Sequence, residues 1–200
     1  ELLSTPQAVA RVSHYRLAAH LGSAFLLYAG MLLTGLNIVQ DAKIASGTFP
    51  KAVIETLSNP TLRKFRLCTI GLAGLIFFDL YVSQNFFQVF IQKLAIAVYG
   101  EIFFDNPTTV QFDHRVLAMT TLSSIVALWL YSRRLNLPPQ ARLAINGVLG
   151  VGCLQVTLGI STLLYMVPIP LASAHQAGSL TLLTTALYLV HIMRRMPIKL

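Results

Sequence analysis

Five long apolar stretches, each holding at most one charged residue, constrain this chain more than anything else in it. They cover residues 15–39, 67–83, 116–131, 143–166 and 177–193. A membrane-spanning helix needs about 20 mostly apolar residues, and inside lipid each segment must satisfy its own backbone hydrogen bonds. The chain therefore reads as an all-α membrane protein with five transmembrane helices. Its 11% of charged residues, against about 25% in a soluble domain, agrees and excludes a disordered segment, a disulfide scaffold and a coiled coil.

Between the runs lie polar turns. Residues 40–59, with Gly47 and Pro50, read as a loop; Pro138–Pro139 and Pro168 with Pro170 mark two tight turns. In 84–104, Gln84, Gln88 and Gln92 recur opposite Phe86, Phe87 and Phe90, with Lys93 and Glu101 added, a pattern that suits an amphipathic interfacial helix. With five spans, one face collects eleven basic residues: Lys43, Lys51, Arg63, Lys64, Arg66, Arg133, Arg134, Arg142, Arg194, Arg195 and Lys199. The other face holds four, namely Arg11, Arg16, Lys93 and Arg115. The positive-inside rule puts the C-terminus on the basic side. The net charge of +8 is thus a topology signal, and with no basic run longer than two residues it does not indicate nucleic acid. Trp129 and Tyr131 before Arg133 and Arg134 read as an interfacial anchor.

His20, His114 and His175 stand near the start of the first, third and fifth runs, which cross in one direction. They therefore share one side of the membrane at similar depth, where ionisable groups are costly and functional. Small residues follow one turn on: Ser23 and Ala24, Ala118, Gly178 and Ser179. They would open the helix face above each imidazole for a flat macrocycle, and they equally serve close helix packing. Opposed imidazoles on parallel helices are how a four-helix membrane bundle holds haem. Ala19-His20 and Ala174-His175, each followed by small residues, form a short internal echo. His14 is expected at the interface and His191 in a structural role at the far end of the fifth run. Asp79, late in the second run, needs a partner or water access, and the sequence does not say which. Cys68 and Cys153 are expected in buried apolar packing. Glu1 at the start, without Met, suggests a processed product or a piece of a longer chain.

Several blocks closely resemble haem A synthase of the mitochondrial type. They are Tyr15-Arg-Leu-Ala-x-His20-Leu-Gly-Ser-Ala24, Gln111-Phe-Asp-His114-Arg-Val-Leu-Ala118, Ser132-Arg-Arg-x-x-Leu137-Pro, Gln155-Val-x-Leu-Gly159-Ile-Ser-Thr-Leu-Leu164, Val167-Pro-x-Pro-Leu-Ala-x-x-His175-Gln-x-Gly178-Ser-Leu180 and Arg194-Arg-x-Pro197. The family has two pseudo-symmetric four-helix halves. The resemblance implies that residues 1–40 form the last helix of the amino-half bundle and 41–63 a matrix-side loop. Residues 64–200 would then be the carboxyl-half haem-binding bundle, with an interfacial segment at about 84–104.

The implied activity is oxidation of the haem O C8 methyl to formyl for cytochrome c oxidase assembly, in the mitochondrial inner membrane; the bacterial inner membrane is the alternative. His114 and His175 would bind a haem b that relays electrons, and His20 would be one ligand of the substrate haem O. The catalytic residues stay unassigned: the family's amino half has an acid three residues before a histidine, where this chain has Gln111 before His114. Implied partners are membrane lipid, a haem O supplier, an electron donor such as ferredoxin, and a second copy in a homo-oligomer. The chain by itself is expected to be inactive. Residues 79–104 depart from the family pattern. The competing readings are an electron-transfer cytochrome b and a non-catalytic assembly factor.

Overall fold

The computed structural model describes residues 14–94 and 107–194, and among these the order is six α-helices and one short 3-10 turn, with no strand. α1 spans His14–Ala45, α2 Lys51–Ser58, α3 Arg63–Leu94, α4 Pro107–Ser132, α5 Pro139–Leu164 and α6 Ile169–Ile192. The chain is an all-α membrane protein.

Local chemistry sets the helix ends. α1 stops where Gly47 takes a left-handed φ of +71°, and the amides of Gly47 and Thr48 return to the carbonyls of Ile44 and Lys43. Pro50 precedes α2, the Asn59 side chain accepts from the Thr61 amide at 2.9 Å, and Pro60 opens the 3-10 turn into α3. Pro139 fills the first position of α5. The α5–α6 turn carries Met166 and Val167 at φ +59° and +58°, a costly conformation for a β-branched residue, held by a 2.8 Å bond from the Val167 amide to the Thr162 carbonyl.

Four helices are long and apolar enough to cross a membrane: Ala19–Ala45, Pro60–Val82, His114–Ser132 and Pro139–Leu164. α6, the expected fifth span, has 24 residues, enough to cross at 1.5 Å per residue. Its apolarity is diluted by His175, Gln176, His191 and a series of Ser and Thr. The loop expected over 41–63 contains α2, whose Leu57 is buried in the core. The interfacial segment expected over 84–104 begins as an unbroken continuation of α3 to Leu94. Thirty-two residues make a rod of about 48 Å, longer than the roughly 30 Å hydrocarbon layer. Residues 95–104, and the side chains of Gln84, Gln88 and Gln92, lie outside what is described.

α3, α4, α5 and α6 form a four-helix bundle, and α1 lies against α3 and α6. Gly22 of α1 is level with Tyr81 of α3, and Asp41 pairs with Arg194 at the other end. The tight core occupies the basic end, where Leu57, Phe65, Ile125, Ala141, Ile145, Val148 and Leu183 are all 0–1% exposed. Phe65 packs on Tyr131 with ring centres 5.8 Å apart. Towards the histidine end, beyond Thr121 of α4 and Gly152 of α5, the buried residues among those described thin to Leu80, Thr162 and Ala172.

Leu26, Leu27, Met31, Leu143 and Leu154 face outward, as lipid allows and water would not. Cys68 and Cys153 are exposed too, which corrects the expectation of burial: in a membrane protein an apolar position need not be an inner one. At the basic end, Trp129 donates to Asn146 at 2.9 Å and carries the Arg133 guanidinium 4.3 Å above its ring, an anchor of the expected kind.

Candidate functional site

α4 and α6 both run from the sparsely buried end to the basic end, so His114 and His175 start their helices at the same level. Their ring centres are 6.3 Å apart with planes at 77°. Two metal–imidazole bonds of about 2 Å each, added to the radii of the two rings, span a similar distance. The pair has the separation required to ligate one metal from opposite sides.

Neighbouring helices hold each ring in a different way. α3 brings Asp79 to His114, with Oδ1 3.3 Å from Nδ1. Behind His175 stands α5, where Gln155 and Gly159, one turn apart, share a face. The Gln155 amide donates to the His175 carbonyl at 2.8 Å and to the Ser179 hydroxyl at 2.5 Å. A Cβ on Gly159 would stand 3.0 Å from His175 Cε1, so with any other residue there the ring would have to move by a few tenths of an ångström. Gly178 serves Gln155 instead, whose Oε1 fills the place of a Cβ there. The gap expected above His175 is therefore occupied by Gln155.

Among the described residues, shielded polar atoms without a well-formed hydrogen bond gather here: Gln155 Oε1 and His175 Nδ1, together with Asp79 Oδ1 and His114 Nδ1, which face each other at 3.3 Å. Buried polar atoms are nearly always paired in folded proteins, so this concentration marks a place built for something other than packing. Among the described residues no group of three or more His, Cys, Asp and Glu could hold a bare metal ion. Two imidazoles suit a metal whose remaining positions a macrocycle fills.

The other expected residues fall elsewhere. His20 lies at the same level but on the exposed surface of α1, with its carbonyl capped by Ser23 at 2.8 Å. His191 is buried at the opposite end, its Nδ1 2.8 Å from Asn37 Oδ1. The side chains of His14 and Gln111 lie outside the described residues. Sequence reasoning quoted Gln155 and Gly159 only as motif letters and left Asp79 without a partner. A Gln and a Gly at i, i+4 in an apolar helix was the available signal; nothing local tied Asp79 to His114.

A helical bundle of membrane-crossing length, with two histidine rings 6.3 Å apart on two of its helices, defines a class, the polytopic membrane proteins. The family model described as "Cytochrome oxidase assembly protein" (COX15-CtaA) matches residues 2–83 and 84–187, and the chain belongs to that family. The chain is 40% identical to "Heme A synthase COX15" of Homo sapiens, over 94% of this chain and 48% of that protein. It is 37% identical to "Heme A synthase" of Nitrosospira multiformis, over 92% and 53%. To the "Heme A synthase-mitochondrial ferredoxin fusion protein" of Schizosaccharomyces pombe the identity is 36%, over 90% and 35%. The chain thus spans about half the length of the curated relatives it matches. No solved structure matches it.

Proposed function

We propose that this chain supplies the haem b site of a haem A synthase, with His114 and His175 as the residues that would hold the haem iron. The observation that carries the reading is the 6.3 Å separation of the two imidazoles among unpartnered buried polar atoms. The bound haem would supply reversible one-electron chemistry. The chain's own work is to hold the two rings opposed: Asp79 backs one, and Gln155 with Gly159 shapes the place of the other.

Oxidation of the haem O C8 methyl would take place in the amino half, with His20 as one ligand of that substrate; its exposure on α1 suits a partner outside this chain. Spectroscopic loss of haem does not separate this reading from an electron-transfer cytochrome b, whereas pigment extraction from cells expressing the full-length parent does: a cytochrome b makes no haem A there. Five spans, with the Arg133–Arg142 turn and the C-terminus on the matrix side of the mitochondrial inner membrane, follow from the basic bias and from α6 as a polar-faced fifth span. A ferredoxin is the proposed electron donor, in keeping with the name of the fusion relative. A haem O supplier completes the pathway. The outward apolar face of α1 would be covered by the amino half or, without it, by a second copy.

The test is in two parts. The reduced b-type spectrum should disappear in His114→Ala and in His175→Ala and persist in His191→Ala; loss in the last with retention in the second sinks the assignment. Co-expressed with a haem O supply, this chain should bind haem and yield no haem A. Haem A above the vector control would move the catalytic site into this bundle.

A further inference from the structure

Asp79 is the only acid in α3, and it stands well inside the helix, where it caps neither end. Its side chain is 17% exposed and that of His114 24%, and the two facing atoms, 3.3 Å apart and shielded from solvent, make no well-formed hydrogen bond among the described residues. A carboxylate at such a place in a membrane is costly and persists only where something repays it. Among the described residues its ion-pair partner is His114. The other imidazole is braced differently: Gln155 grips the backbone and the Ser179 hydroxyl beside His175, and among the described residues no ion pair to a carboxylate is formed by it.

We propose that Asp79 is a positioning residue for the haem ligand His114, its carboxylate taking the Nδ1–H so that Nε2 faces the iron. The inference rests on the bis-histidine haem reading above. A ligating histidine commonly gives its other N–H to a carboxylate, which fixes the tautomer and makes the ring a stronger donor. The two axial ligands are then unequal: His114 is electron-rich and His175 ordinary. A richer ligand favours ferric over ferrous iron and lowers the potential of the haem, which makes it a better electron donor to a neighbouring site.

The experiment is a potentiometric titration of the full chain, loaded with haem in detergent and read in the Soret and α bands. Asp79→Asn keeps shape and loses charge. It should retain bound haem and a six-coordinate spectrum while raising the ferrous-to-ferric ratio about tenfold at fixed potential, an upward shift of about 59 mV for one electron. Asp79→Glu should return the ratio towards the parent value. An unchanged ratio in Asp79→Asn overturns the proposal. A parent protein without a bis-histidine spectrum overturns the haem reading itself, and this inference with it.

Should Asp79→Asn fail to accumulate, His114→Gly supplies the second measurement, with free imidazole or 1-methylimidazole replacing the ring. Imidazole, which has an N–H for the carboxylate, should restore six-coordination at about one-tenth the concentration of its methylated analogue, after correction for the affinity of each for free haem. Equal concentrations overturn the proposal.

Discussion

Replacing Gly159 with alanine should strengthen the helix and weaken the site. Removing a glycine from a helix interior stabilises it by roughly 0.5–1 kcal/mol, and α5 is otherwise undisturbed. The new methyl would stand 3.0 Å from His175 Cε1, 3.5 Å from Nδ1 and 3.6 Å from Nε2, where ordinary contact begins at 3.4 Å. The ring must therefore retreat by about 0.4 Å, twice the roughly 0.2 Å within which metal–ligand distances are held. Haem affinity should fall about tenfold, near 1.4 kcal/mol, while the haem-free protein melts no lower than the parent. Gly147→Ala on the same helix, with nothing within 4 Å of the new Cβ, should show the stability gain alone. Haem titration by absorbance and thermal unfolding in detergent read the two quantities separately. Parent-like haem affinity in Gly159→Ala would refute the reasoning, because His175 would then have had room the structure does not give it.

At the opposite end, Asn37→Leu leaves His191 Nδ1 without its 2.8 Å partner. It should cost about 1–3 kcal/mol, seen as a lower melting temperature with the haem spectrum intact; an unchanged melting temperature would show that this contact does not help to hold α1. For topology, a cysteine at Pro139, with Cys68 and Cys153 replaced by serine, should be labelled from the matrix side. Labelling from the intermembrane space would invert the model.

Much of the architecture was legible because lipid leaves a chain few choices. The runs over 116–131 and 143–166 read as spans and appear as α4 and α5, with ends extended to Pro107 and Pro139. Less legible was the length of α3: Gln84, Gln88 and Gln92 at four-residue spacing describe equally a helix lying in the interface and one standing out of it. α2 was hidden because its eight residues are too short for periodicity to speak. The cysteines misled for a physical reason, since apolar and buried coincide in water and part company in lipid. At the site, the shared level of His114 and His175 followed from span direction alone. The approach of Asp79 to His114 depends on how α3 and α4 rotate about their axes, and hydropathy patterning does not fix rotation in a helix that is apolar on nearly every side.

α6 shows what that patterning leaves out. It is the one expected span that falls short of the apolar length the other four reach, yet several of its polar side chains have positions that explain them. His175 and Ser179 belong to the site and to its Gln155 brace. Thr184 meets the Tyr28 hydroxyl at 2.7 Å, His191 meets Asn37, and Arg194, just beyond the helix, pairs with Asp41. The last three contacts lie along a single seam with α1. Between membrane helices there is no water to expel, so apolar packing gives little selectivity for one neighbour, and polar contacts supply it. A helix enclosed by α3 and α5 and zipped to α1 can carry such groups at less cost than one facing lipid. The polar content of α6 thus reflects its central place: it carries His175 at one end and fastens α1 along its second half.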